Sequence, residues 1–294
     1  MNPLPFYIVD VFAEEKYAGN QLAVFRNARE LSTETMQRIT RETNFSEATF
    51  ILSDAERDGG YDVRIFTPAT EVPFAGHPTL GTAFVIRQEI IRNDVEQVKL
   101  NLQLKQIPVT FVPEADADVL WMKQKAPEFG PVVDPAEIAG VLGLEEKDLD
   151  NTFPAQEVST GMWFVIAPLV NLEAVKRAKI VRDKSTAFFE SRQSKGILLF
   201  SPETYQSQND LNARVFVPYY GVEEDPATGS GNGCLAGYLI QHRYFGGDRI
   251  DVRVEQGYEI DRPSLIRLKA EQQEEAIDVN VGGRVVMVAR GDWV

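Results

Sequence analysis

The sequence predicts an α+β fold of two pseudo-symmetric domains, each strand-rich and wrapped around one central helix. Two observations carry this expectation. First, two stretches about 150 residues apart follow one plan. Arg64-Ile-Phe-Thr-Pro68, Pro73-Phe-Ala-Gly-His-Pro78 and Leu80–Ile86 answer to Arg214-Val-Phe-Val-Pro218, Glu224-Asp-Pro-Ala-Thr-Gly-Ser-Gly231 and Leu235–Ile240. Each reads as a strand, a small-residue loop and a helix opening from it. Two further pairs keep the same order: Tyr7–Phe12 with Trp163–Ala167, and Ala48–Leu52 with Gly196–Phe200. Solenoid repeats are far shorter, so two large copies imply a pair of related domains. Second, both repeated helices, expected at Thr79–Glu89 and Gly233–Arg243, are apolar nearly all round, as a helix buried inside its domain must be.

The elements follow in order. Phe6–Phe12 and Leu22–Phe25 are strand-like and flank Tyr17-Ala-Gly-Asn20. Ser32 caps a helix reaching about Thr43, with Met36 and Ile39 inward. Strands at Ala48–Leu52 and Tyr61–Phe66 flank the Gly59-Gly60 turn, and Val98–Leu104 and Pro108–Val112 follow the first apolar helix. A polar stretch without period, near residues 113–119, marks a boundary. It separates a first domain, 1–115 joined by the C-terminal strand 284–294, from a second, 119–283. Asp134-Pro-Ala-Glu137 starts a helix, with an N-cap, proline at the first position and glutamate three on, and Gly143 ends it. The second half then repeats the first half's order. Strands at Ile250–Glu255, Ser264–Ala270, Ala276–Val281 and Arg284–Ala289 finish the chain.

Composition narrows the function. The 294 residues are 44% apolar and 25% charged, ordinary for a globular protein, and large enough for two cores. A net charge of −14 argues against nucleic acid and anionic membranes, both of which require a basic face. A small anionic substrate stays open, since a local field can oppose the global one. No run approaches a membrane span of ~20 apolar residues, and Met1–Tyr7 has no secretion-signal pattern, so a cytoplasmic protein is expected. The single cysteine, Cys234, and the distant His77 and His242 offer neither a disulfide nor metal-ligand spacing. No metal or cofactor is expected.

The two loops carry the candidate chemistry. A helix N-terminus presents amides without intrahelical acceptors, suited to a carboxylate or phosphate, or satisfied by internal capping. His77 is a cap, a core residue, or a neutral imidazole whose pKa the helix end lowers. Asp225, placed opposite it in the second copy, is a turn residue or a functional carboxylate. Glu47 opens a strand, where it is either surface or an acid–base group raised by burial. Cys234 falls in the second helix's apolar stripe, as a buried small hydrophobe.

Gly19-Asn-Gln-Leu-Ala-Val-Phe25, Asn44-Phe-Ser-Glu-Ala-Thr-Phe50, the two loop motifs, Gln256–Ser264 and Gly282–Ala289 together resemble the phenazine-biosynthesis isomerase (PhzF-like) family along essentially the whole chain. The resemblance implies the diaminopimelate-epimerase fold, with a site between the halves and a plausible homodimer. Racemases of that superfamily use two cysteines, one from each loop. This chain has Gly76 and Asp225 where those cysteines would stand, and Cys234 lies too far along its helix, which rules out a two-thiol mechanism. The resemblance instead gives proton transfer to Glu47, assisted by His77 and Asp225. It leaves substrate binding to Asn20, Gly76, Thr228, Gly229, Ser230 and Gly231, with a small carboxylate as substrate. Asn232-Gly-Cys234 and Ile260-Asp261 depart from the family pattern. The expected function is a cofactor-independent isomerase of a small carboxylate. The alternatives are a carboxylate-binding protein without chemistry and a structural scaffold.

Overall fold

The structure, a computed structural model, describes residues 3–294. The chain divides into two compact units: the chain up to Met122 with Gly282–Val294, and Lys123–Val281. Met1 and Asn2, on which part of the signal reading rests, lie outside the described residues. Among the described residues, no helix is long and apolar enough to cross a membrane.

In the first unit, β1 (Leu4–Val11) runs antiparallel to β2 (Asn20–Phe25). A crossover through α1 (Thr33–Thr43) then places β3 (Ala48–Ile51) parallel to β2. α1 starts where expected, with the Ser32 hydroxyl accepting from the Thr35 amide at 3.2 Å, and it stops at Asn44 in the left-handed region. β4 (Tyr61–Phe66) is antiparallel to β3 and holds the short β5 (Glu71–Val72). α2 (Gly76–Val85) follows, running on as a π-helical segment over Ile86–Ile91. β6 (Gln97–Asn101), β7 (Gln106–Val112) and β8 (Val119–Lys123) extend the sheet from β4.

One sheet face carries α1 over Phe25, Phe50 and Phe66, whose neighbouring rings lie 5.1 and 5.5 Å apart. The other face curls around α2, which touches β1, β2, β3, β6 and β7. Gly81 makes that approach possible. A Cβ there would lie 2.6 Å from Leu22 and 2.9 Å from Val11, both fully buried.

The second unit opens with β9 (Glu128–Val132) and α3 (Pro135–Leu142), capped by Asp134 and ended by Gly143 as expected. β10 (Gln156–Ser159) pairs antiparallel with β9 and with β11 (Trp163–Pro168). A crossover through α4 (Leu172–Arg177) and α5 (Arg182–Glu190) leads to β12 (Gly196–Ser201), parallel to β11. β13 (Leu211–Val217) and the short β14 (Val222–Asp225) precede α6 (Gly229–Gln241). β15 (Arg249–Gln256), β16 (Ser264–Gln272) and β17 (Ile277–Gly283) follow, and β18 (Val285–Trp293) returns to the first unit beside β1. α3, α4 and α5 cover one sheet face through an apolar cluster that includes Val165, Leu199 and Phe216. α6 is enclosed by β10, β11, β12, β15 and β16.

Strand pairing settles which elements correspond and corrects two expectations. β11 is joined by a helical crossover to a parallel neighbour, as β2 is, so Trp163–Pro168 answers to Asn20–Phe25 and not to Tyr7–Phe12. Ala48 faces Phe66 as Ile197 faces Phe216, which shifts that correspondence by one residue. The central helices begin earlier than expected, at Gly76 and Gly229 rather than Thr79 and Gly233. First-turn amides have no intrahelical acceptor, so Pro78 and a run of glycines are tolerated there although both resemble a loop. β5, β8, β9, β10 and β14 were not read from the sequence. They are short, or, like β9 with Gly130 and Pro131, carry strand-breaking residues.

Candidate active site

Glu47 immediately precedes β3, and His77 is the second residue of α2. The fold brings them together, with Glu47 Oε2 3.6 Å from His77 Nε2. His77 is buried, and its Nε2 has no hydrogen-bond partner among the described residues. Burial pushes the imidazole pKa down to about 3, against a weaker opposing hydrogen bond with the Gln21 backbone. The direction matches the expectation, but desolvation rather than the helix end is the main cause. The imidazole is therefore neutral at pH 7, and the pair has the spacing of an ion pair without its second charge. Asn20 opens β2 and is buried, and Gly76 is the first residue of α2.

In the second unit Thr228 is the N-cap of α6, and Gly229, Ser230 and Gly231 form its first turn. Thr228 does not cap the helix with its side chain. Its hydroxyl donates to Asp225 Oδ2 at 2.5 Å. Ala75, the N-cap of α2, has no side chain able to do so. Pro78 removes one first-turn donor from α2, leaving the amides of Gly76 and His77, whereas α6 has those of Gly229, Ser230 and Gly231.

Residue-level correspondence corrects the placement of Asp225. Ile65 faces Val72 as Val215 faces Asp225, so Asp225 answers to Val72. The second copy carries an extra turn, Pro218–Tyr220, that displaced the match made from sequence alone. The helix starts pair Gly76 with Gly229 and His77 with Ser230. Gly76 and Asp225 are therefore not equivalent positions. The conclusion about thiols stands on Cys234 itself. It is fully buried on α6, donates to the Met162 carbonyl at 3.4 Å, and burial pushes its thiol up to about 12.

Two residues of this loop escaped the sequence reading as site residues, Asn232 and Gln256, both fully buried and hydrogen-bonded to Thr228. Gln256 ends a strand whose first residues alternate between exposed and buried, and no local feature sets it apart. Among the described residues, no group of three or more His, Cys, Asp or Glu side chains is placed to hold a metal ion.

Comparison with known proteins agrees with this architecture. The chain is 35% identical over 289 residues to a trans-2,3-dihydro-3-hydroxyanthranilate isomerase of Pseudomonas aeruginosa, covering 97% of this chain and 98% of the relative. A PhzF-family phenazine biosynthesis protein of Bacillus anthracis superposes with a TM-score of 0.92 at 26% identity, covering 100% of both chains. A probable proline racemase of Agrobacterium radiobacter shares the fold at 9% identity and a TM-score of 0.63, covering 99% of this chain and 93% of that one. The fold is thus the α+β, epimerase-like one expected. Since the family model for phenazine biosynthesis-like proteins (PhzC-PhzF) matches residues 9–291, the chain belongs to that family and is a PhzF-like isomerase.

Proposed function

We propose that the protein isomerises a small carboxylate by cofactor-independent proton transfer, with Glu47 as the acid–base group. The observation that carries this reading is the carboxyl of Glu47 3.6 Å from a buried, neutral imidazole. An imidazolium there would pin Glu47 as a permanent anion. A neutral ring leaves it free to alternate between base and acid. With the Gln21 backbone engaging the ring, the Nε2 that faces Glu47 is suited to accept from its protonated form.

Glu47 would remove a proton from a carbon of the substrate while the adjacent double bond shifts. It would then return that proton to the far end of the allylic system on the same face. The first turn of α6, with Gly229, Ser230 and Gly231, would bind the substrate carboxylate, assisted by Asp225 and Thr228, and Asn20 and Gly76 would complete substrate binding. The P. aeruginosa relative's name supplies the substrate class to try first, a cyclic dihydro amino acid. A carboxylate binder without chemistry is the less favoured reading, because the relatives at this level of identity are isomerases.

Glu47→Gln should lower turnover of trans-2,3-dihydro-3-hydroxyanthranilate, and deuterium incorporation from D2O, by roughly 10²–10⁴-fold. Full turnover in that variant would rule out Glu47 as the proton carrier.

A further inference from the structure

Gln256 ends β15 with its side chain fully buried, and every polar atom of its amide is used on one turn. Oε1 accepts from the Thr228 amide at 3.2 Å and from Asn232 Nδ2 at 2.9 Å. Nε2 donates to the Asp225 carbonyl at 2.7 Å and to Thr228 Oγ1 at 3.1 Å. The amide's orientation is not ambiguous, since a backbone carbonyl can only accept and a backbone N–H can only donate. Because Thr228 Oγ1 receives Nε2–H, its own proton is directed to Asp225 Oδ2. Asn232 adds a bond to the Thr228 carbonyl at 3.1 Å. Gly257, next in sequence, has φ +79°, and a Cβ there would lie 2.6 Å from the Pro226 carbonyl oxygen, so the strand end is pressed against the same turn.

The first unit supplies the comparison that gives these bonds meaning. Tyr61 faces Leu100 as Leu211 faces Val254, so the position answering to Gln256 is Leu102. Asp225, Thr228 and Asn232 answer in turn to Val72, Ala75 and Thr79. The same strand, turn and helix therefore form in the first unit with almost none of this polar network. Folding the turn does not require the network. A satisfied buried polar network rigidifies the groups it joins and specifies one arrangement of them.

We infer that Gln256 is a positioning residue, which fixes the Asp225 side chain and the first-turn amides of α6 through Thr228 and Asn232. The inference rests on the reading of that turn as the carboxylate site.

Gln256→Met keeps the shape and removes all four bonds, and Gln256→Glu keeps only the two acceptor bonds. Amide hydrogen exchange over 225–232 should speed by roughly tenfold in Gln256→Met and by less in Gln256→Glu, with the rest of the chain unchanged. kcat/KM should fall by at least roughly tenfold, the cost of about one charge-assisted hydrogen bond. Wild-type protection over 225–232 in a folded Gln256→Met would overturn the inference. So would a loss of protection spread evenly over the second unit, the mark of a merely structural role. Should Gln256→Met not fold, Gln256→Glu decides by the same local criterion. Glu47→Gln is the control. Turnover surviving in that variant would sink the proton-transfer reading while leaving the exchange result on Gln256 intact.

Discussion

The two strand–turn–helix modules share a frame down to single contacts. Arg64 clasps Glu71 through two bonds of 2.7 Å, and Arg214 clasps Glu224 at 2.9 and 2.7 Å. Each guanidinium also lies over the phenylalanine two residues on, Phe66 at 5.0 Å and Phe216 at 4.8 Å. Around that frame the chemistry has diverged. Glu47 answers to Gly196 and His77 to Ser230, so the acid–imidazole pair exists in the first unit alone. Asp225, Thr228 and Gln256 replace apolar residues, so the ordered polar turn exists in the second alone. On the proposed reading, one module moves the proton and the other holds the anion. A symmetric two-base mechanism does not fit that division.

The shared Arg–Glu clasp gives the sharpest test of how far the likeness goes. Arg214 also donates to three backbone carbonyls, those of Val175, Lys176 and Ala178, at 2.9, 3.3 and 2.8 Å. Its side chain is 9% exposed, against 26% for Arg64. Arg214→Met strands a buried carboxylate and three carbonyls and should cost about 3–5 kcal/mol in denaturant unfolding. Arg64→Met, at a wetter site, should cost about 1 kcal/mol. Equal losses would mean that the two clasps do the same structural work and that the added carbonyl bonds contribute nothing.

His77 separates the modules by pH. Its ordinary pKa of 6.5 falls to about 3 in the native state, so the unfolded chain binds the extra proton throughout that window. Stability is therefore full above pH 6.5 and declines as pH falls toward 3. Between pH 7.5 and 4.5, His77's share of the loss should be about 2–3 kcal/mol, and His77→Gln should remove that share. His242, also lowered by burial, loses stability in the same direction, so the variant keeps a smaller acid loss. An unchanged difference between the two pH values in His77→Gln would show that the imidazole is protonated in the folded state.

Local rules make much of this frame legible in the sequence. Ser32, Asp134-Pro135 and Gly143 set helix ends through their own side chains or backbone, and all three stand where expected. The apolar surfaces of α2 and α6 foretold their enclosure. Pairing was not legible, because Trp163–Pro168 resembles β1 and β2 equally until its partners are known. The extra turn at Pro218–Tyr220 moved Asp225 out of its assumed place for the same reason. Glu47 and His77 could be named separately from sequence, but their 3.6 Å approach depends on β3 lying against α2. Gln256 lies 28 residues from Thr228, and nothing local marks an amide at a strand end as the clamp of a distant turn.

The smallest contrast concerns one position on the central helices, where Gly81 answers to Cys234. Leu22, Val9 and Val11 leave no room for a side chain at Gly81, the nearest atom being 2.6 Å from a notional Cβ. In the second unit the same position has space for a thiol that bonds Met162 and lies within 3.7 Å of Thr160 Oγ1. Gly81→Ala gains about 1 kcal/mol of helix propensity but overpacks the core by about 1–3 kcal/mol, for a net loss of about 1 kcal/mol. Cys234→Ala removes one buried atom and should also cost about 1 kcal/mol, with kcat unchanged. These similar losses have opposite causes, strain in one unit and a void in the other. Gly81→Ser should therefore be worse than Gly81→Ala, whereas Cys234→Ser keeps the Met162 carbonyl as an acceptor and should be tolerated, and Cys234→Val should fail through size. A fall in kcat for a fully folded Cys234→Ala would return the thiol to the chemistry as a single group.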